Sequence, residues 1–286
     1  MAQLHSLWAT REAAFCAFAK GAKLEVFRLA DGRVQSLGLV FGEVTAIGGA
    51  QSTALVVCDE SDLFWLSDQG ATKRRVDERI YACGETRNGR TVLGGSLGKL
   101  LWGEGAEFGL VKDGLNEHGI SKPGRPIQGL YSHGDDLLIL GANSLLVEVR
   151  GEQWRELLAP RKSSEQQYRL FYAAMSQDTL YVAGRYGTEP FVGRVESGEI
   201  AMLPLPELLE AAPILSVLGD ELFLFGATAA WRWSEAQWQL ASERGKSCFV
   251  GAIQWGADLL AGRSNGALVR IGSQSSSPVK IAGWPI

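Results

Sequence analysis

Apolar residues along this chain recur on two scales. Locally, short apolar runs break at Gly, Asp or Asn, the pattern of strands joined by tight turns. Over longer distances a whole segment returns. Asp135-Asp136-Leu137-Leu138-Ile139-Leu140-Gly141, Asp178-Thr179-Leu180-Tyr181-Val182-Ala183-Gly184 and Asp220-Glu221-Leu222-Phe223-Leu224-Phe225-Gly226 align at a spacing of about 42 residues. Looser copies stand at Asp258-Leu259-Leu260-Ala261-Gly262 and Thr91-Val92-Leu93-Gly94-Gly95, and degraded ones at Ala54-Leu55-Val56-Val57-Cys58 and Phe15-Cys16-Ala17-Phe18-Ala19-Lys20-Gly21. Strand ends near 21, 58, 95, 141, 184, 226 and 262 define seven units of about 40 residues, the length of a propeller blade.

Each unit continues in the same way. A third apolar strand such as Leu145-Leu146-Val147-Glu148-Val149-Arg150 is followed by a turn and a fourth strand, Gln153-Trp154-Arg155-Glu156-Leu157. Asp31-Gly32, between two such strands, is a hairpin signal because a type I′ turn needs positive φ at both central residues. Ahead of each repeat lies one more apolar strand with small residues, such as Ile80-Tyr81-Ala82-Cys83-Gly84 or Phe171-Tyr172-Ala173-Ala174, suited to the innermost position. Four strands per unit and seven units predict an all-β fold, one seven-bladed β-propeller of antiparallel blades spanning 1–286 as a single domain. The period-two pattern excludes an α-solenoid. Only 206–212 reads as helix-like.

Composition narrows the function. Glycine, 35 of 286 residues, is about twice the usual share and spread along the chain, as many tight turns require. Basic residues number 28 against 32 acidic ones, for a net charge of −4. Direct nucleic-acid binding is therefore not expected, because neutralising phosphates supplies most of that affinity. Cys16, Cys58, Cys83 and Cys248 form no C-x-x-C pair and sit in apolar contexts, which predicts buried thiols in a reducing compartment. The first residues lack a secretory pattern and no apolar run is long enough to span a membrane. A cytoplasmic protein without membrane association is expected.

Candidate chemistry is sparse. Gly94-Gly95-Ser96-Leu97-Gly98-Lys99-Leu100 has the wrong spacing for a phosphate loop and joins two strands, so it reads as a turn. His5, His118 and His133 are scattered, without zinc-ligand spacing. The paired carboxylates Asp135-Asp136 and Asp220-Glu221 recur at equivalent turns, which points to side chains bonding the local backbone over general acid–base work. The inner strands carry almost no Asp, Glu or His, leaving neither a glycosidase pair nor a calcium cluster. The reading is a non-enzyme without cofactor or metal. No Trp-Asp dipeptide occurs, so a strict WD40 repeat is not supported.

Function is expected on the face that carries the second-to-third and fourth-to-first connections. Three of the latter, 112–126, 158–169 and 204–213, are longer than neighbouring strands require and fall in successive blades, as functional loops often do. The candidate partner-binding residues are Lys112, Asp113, Glu117 and His118 in the first; Arg161 and Lys162 in the second; Glu207, Leu208 and Glu210 in the third. Arg185 and Tyr186 follow the blade-5 repeat, and Asp59, Glu60 and Asp62 form the sharpest acidic cluster. Leu208 or Leu209 would anchor an apolar contact, and the acidic trio would steer a basic partner.

The strand ending in Gly141, the strand Leu145 to Arg150 and Gly151-Glu152-Gln153-Trp154-Arg155-Glu156-Leu157 resemble the divergent, WD40-like propeller immunity proteins of Gram-negative bacteria. The whole chain looks most like those paired with a type VI secretion nuclease toxin of the GHH class. That resemblance implies a cytoplasmic protein that binds a cognate toxin and occludes its active site or substrate approach. A propeller scaffold or assembly factor is the alternative, and a propeller hydrolase or lyase the second.

Overall fold

The repeat becomes seven four-stranded antiparallel sheets, each ordered as in the sequence. The structure, a computed structural model, describes residues 3–30, 32–86, 88–104, 107–110, 115, 126–133, 136–159, 168–206, 209, 213–242, 245–272 and 275–285. Blade 1 holds Gln3–Ala9, Ala14–Lys20, Lys23–Ala30 and Arg33–Phe41; blade 2 holds Val44–Ala50, Thr53–Cys58, Asp62–Ser67 and Gly70–Arg75. Blade 3 holds Ile80–Glu85, Thr91–Gly95, Leu100–Glu104 and Glu107–Leu110; blade 4 holds Ile127–His133, Asp136–Gly141, Leu146–Arg150 and Gln153–Leu158. Blade 5 holds Tyr168–Ser176, Thr179–Tyr186, Glu189–Glu196 and Glu199–Met202. Blade 6 holds Ile214–Leu218, Glu221–Phe225, Ala230–Ser234 and Gln237–Ser242; blade 7 holds Phe249–Trp255, Asp258–Arg263, Leu268–Ile271 and Ser276–Val279. The protein is a seven-bladed β-propeller. No α-helix occurs among the described residues, and most of 206–212 lies outside them.

Burial explains why the second strand of each blade carried the repeat. Residues of Thr91–Gly95 are all buried, and those of Asp136–Gly141 and Glu221–Phe225 are buried after the first residue. A strand packed on both faces reads as a continuous apolar run. The outer strand Gly70–Arg75 is exposed at every position. Turns follow the expected chemistry: Gly32 and Gly151 take φ of 72° and 60°, and Gln177-Asp178 and Ser197-Gly198 pair two positive values. The Gly94–Leu100 segment is a strand-to-strand turn, with Leu97 and Gly98 at left-handed φ of 63° and 75°.

The framework falls into two compact units. One comprises Met1–Ala9, Ala14–Ser36 and Gln167–Ile286, the other Thr10–Ala13 and Leu37–Gln166. In the first, Phe223, Phe225, Phe249, Leu259 and Ile271 fill the space between blades 6 and 7, while Ala183, Val192, Leu215, Leu222 and Trp231 fill that between blades 5 and 6. Its C-terminal segment folds back: Ala282 bridges Arg33 in parallel, and the Trp284 indole donates to the Gly266 carbonyl at 2.7 Å. In the second unit Leu55, Leu63, Trp65, Ile80 and Leu93 form the core between blades 2 and 3. There the buried Glu85 carboxylate accepts backbone N–H groups from Arg11 at 2.8 Å and Gln51 at 2.7 Å. It stitches three turns together.

Candidate functional site

The innermost strands are less regular than their apolar sequences suggest. In six of the seven blades the pairing of the first strand with the second slips by one residue. The extra residues are His5, Phe171 and Val250 in one unit, and Thr45, Tyr81 and Gln128 in the other. A β-bulge leaves its extra residue unpaired and re-aims the side chain. Leu4, Ile80, Ile127, Leu170 and Phe249, immediately before their bulges, are buried, whereas every bulged residue is partly or fully exposed. The repeat glycine sits opposite or beside the slip: Gly95 pairs with Ile80, Gly141 with Ile127, Gly184 with Leu170, and Gly262 with Gly251. At Gly184 a Cβ would come within 1.9 Å of the Arg169 carbonyl oxygen. Only hydrogen fits there.

Blade 5 makes the most of this device. Phe171 is the bulged residue, and the Arg169 guanidinium lies over its ring, 5.4 Å from the centroid. Arg169 pairs directly with Arg185 across the two strands, and Tyr168 with Tyr186. Directly opposed residues share one face of the sheet; the two arginines therefore stand together on one face and the two tyrosines on the other. The tyrosine rings lie 4.8 Å apart, and Tyr168 meets the buried Phe191 edge-on at 5.2 Å. Both arginines are exposed, and Tyr186 is 41% exposed. Neither guanidinium meets a carboxylate among the described residues. Glu189 is opposite Tyr186, on the tyrosine face, and Pro190 is opposite Arg185. Arg263 of blade 7 shows the contrasting use of an arginine. It is buried, donates to the Thr228 and Ser247 carbonyls at 2.9 Å each, and lies 4.0 Å from the Phe249 ring centroid. Burial lowers its pKa from the usual arginine value.

The other predicted site residues are placed unevenly. Asp59 and Glu60 occupy the blade-2 second-to-third loop with left-handed φ of 50° and 62°. Asp59 accepts the Glu43 N–H at 3.0 Å, Glu60 pairs with Arg79 at 3.2 Å, and Asp62 pairs with Lys73 at 2.8 Å and Arg75 at 4.0 Å. Asp62 is buried, so this cluster does not stand as a bare acidic patch. Lys112, Asp113, Glu117, His118, Arg161, Lys162, Glu207, Leu208 and Glu210 lie outside the described residues. Leu115, in the first long connection, is fully buried in the core of blades 3 and 4. Leu209 is half-buried and packs against the core of blades 5 and 6, so it is not a freely exposed anchor.

Two expectations need correcting. Cys16 and Cys58 are buried and Cys83 is half-buried, but Cys248 is exposed, because it precedes the first strand of blade 7 and is not enclosed by a sheet. The recurrent carboxylates also do more than close turns. Asp136 pairs with Arg150 at 2.9 Å, Glu221 with Arg232 at 3.2 Å, and Asp258 with Arg270. Each stands at the start of a second strand, where the third strand brings an arginine within reach. Among the described residues no group of three or more His, Cys, Asp or Glu could hold a metal ion, and no helix is long and apolar enough to cross a membrane. The inner-strand bulges escaped the sequence reading, since an extra residue in an apolar run has no signature of its own. A glycine closing the repeat accompanies four of the six slips, but blade 6, whose repeat ends in Gly226, pairs without one.

No family model matches the chain, and no curated protein matches it in sequence. Solved structures show the same architecture. The propeller YCF48, solved bound to a D1 peptide, aligns over 96% of this chain and 94% of its own at a TM-score of 0.65 and 14% identity. The WD40 propeller domain of Doa1 aligns over 96% and 94% at 0.62 and 10% identity. BamB from Moraxella catarrhalis aligns over 95% and 83% at 0.59 and 13% identity.

Proposed function

We propose that this propeller works by holding a partner protein and not by catalysis. The observation that carries this reading is the exposed end of blade 5, where Arg169, Arg185, Phe171, Tyr168 and Tyr186 gather. Arg and Tyr are the residues most enriched where protein interfaces concentrate their binding energy. The likeness to YCF48, solved with a peptide bound, supports a peptide or protein partner for this chain. The recurrent carboxylates are occupied by neighbouring arginines, which is structural use.

The finer reading is an immunity protein of the cytoplasm that neutralises a cognate toxin, probed first with type VI secretion nucleases. It rests on the sequence resemblance. The test is to purify the tagged chain from the cells that make it and identify proteins retained in stoichiometric complex. The partner's gene is then expressed with and without this chain. Growth arrest relieved by co-expression is the expected result. A stoichiometric partner without toxicity would replace immunity with a scaffold or assembly role, and turnover of a small substrate by the purified chain would overturn the binding reading altogether.

A further inference from the structure

We propose that Arg169 and Arg185 form a fork that receives carboxylate side chains from an acidic segment of the partner protein. The proposal rests on the protein-binding reading above and adds the chemistry of what is bound. Like charges placed directly opposite one another in an antiparallel pair destabilise it, and here two guanidinium groups are so placed. In blades 4, 6 and 7 a third-strand arginine meets carboxylates: Arg150 has Asp136 and Glu148, Arg232 has Glu221, and Arg270 has Asp258. Blade 5 pairs its third-strand Arg194 with Glu196 in the same way, whereas Arg169 and Arg185, on its first and second strands, meet no carboxylate among the described residues. Glu189, in the same hairpin as Arg185, is held on the opposite face by its register with Tyr186.

The local build suits a bound carboxylate. The bulge at Phe171 turns an aromatic ring beneath Arg169, and a guanidinium resting on an aromatic face stays planar and oriented. The planar fork of N–H donors that a guanidinium carries matches a carboxylate. Gly184 holds the two strands close at this level, with no room for a side chain. Tyr168 and Tyr186 pack against each other on the reverse face, their rings 4.8 Å apart and tilted by 52°, beneath the strand ends that carry both arginines. An acidic peptide is favoured over nucleic acid because the chain has 32 acidic against 28 basic residues. Phosphate backbones are gripped by extended basic surfaces that neutralise many phosphates, whereas one opposed pair is scaled to one or two carboxylates.

The probe is fluorescein-labelled hexaglutamate, followed by fluorescence anisotropy at low ionic strength on the intact chain, with hexaglutamine as the uncharged control. Hexaglutamate should bind and hexaglutamine should not. Arg169→Gln and Arg185→Gln should each weaken binding at least tenfold, and raising salt should weaken it further. Lys73→Gln and Arg75→Gln in blade 2 should leave it unchanged. The idea fails if wild type does not bind hexaglutamate, if the double arginine variant binds it as well as wild type does, or if the blade-2 variants lose as much. Tighter binding of a six-nucleotide thymidine oligomer through the same two arginines would make nucleic acid the ligand and overturn the proposal. Matching thermal melting of the variants keeps lost binding distinct from lost fold. A stoichiometric partner that binds the double variant with unchanged affinity would sink the fork and leave the protein-binding reading standing.

Discussion

In blade 2 the loop after the second strand carries Asp59, Glu60 and Asp62, each engaged nearby: with the Glu43 N–H, with Arg79, and with Lys73 and Arg75. The backbone of the same loop receives the Val76 and Ile80 N–H groups at its Ser61 and Glu60 carbonyls. In blade 5 the corresponding end carries Arg185, with Arg169 opposite, and among the described residues no carboxylate pairs with either; Glu189 stands on the other face. Both places look charged in the sequence. The first uses its charge to hold two blades to their connection, and the second leaves it facing outward. Charge that is conspicuous in sequence is thus a poor guide to charge available for binding, because adjacent strands decide which side chains are already occupied.

The comparison can be broken at several points. The largest effect is expected at Gly184→Ala, where the new Cβ meets the Arg169 carbonyl and the bulged pairing must shift. A loss of about 3 kcal/mol should appear in chemical denaturation. Gly256→Ala, at φ of 63° with open space around it, should cost only about 1 kcal/mol. Equal costs would mean that blade 5 is not tightly held at the bulge.

A second effect is alkaline. Burial, then Asp59 and Asp62, push the Cys58 thiol up to about 11, Lys73 opposing them, and burial pushes Cys83 to about 12. Both folded values exceed the ordinary thiol value of 9.0, so the native state keeps protons that the unfolded chain releases. Stability is fully present below pH 9 and is lost as pH rises through 11 and 12. Melting temperature measured against pH should fall across that window, and Cys58→Ala should flatten its lower part. A flat profile in wild type would contradict the burial of these thiols.

Asp62→Ala removes the carboxylate between Lys73 and Arg75. Those partners are 55% and 77% exposed, and water screens the pair, so the cost should be about 1 kcal/mol in thermal melting. Arg185→Gln is the mirror experiment and the smallest effect. Relieving the like-charge pair should raise stability by about 0.3 kcal/mol. A loss above about 1 kcal/mol would show that Arg185 has a structural partner and that the two blades are alike after all.

How much of this was legible follows from what each feature needs. The second strands announced themselves because those such as Thr53–Cys58, Thr91–Gly95 and Glu221–Phe225 are buried on both faces, so apolar residues fill them without alternation. Arg185 and Tyr186 could be named from their place after the blade-5 repeat. Arg169 could not be joined to Arg185, because register is a property of the paired strands. Phe171 read as ordinary inner-strand material until the slip between Leu170 and Tyr172 set it apart.

The sequence by itself determined the number of blades, the order of strands within them and the turns that join them, since these depend on local apolar runs and on residues that tolerate positive φ. Tertiary structure alone decided which charges are occupied. Asp62, Glu85 and Glu148 are buried and bonded by groups from other strands or turns, while Arg169 and Arg185 are brought face to face by a one-residue bulge and the missing side chain of Gly184. Pairing across strands fixes such neighbours to within a residue, and no local pattern in the chain encodes that step.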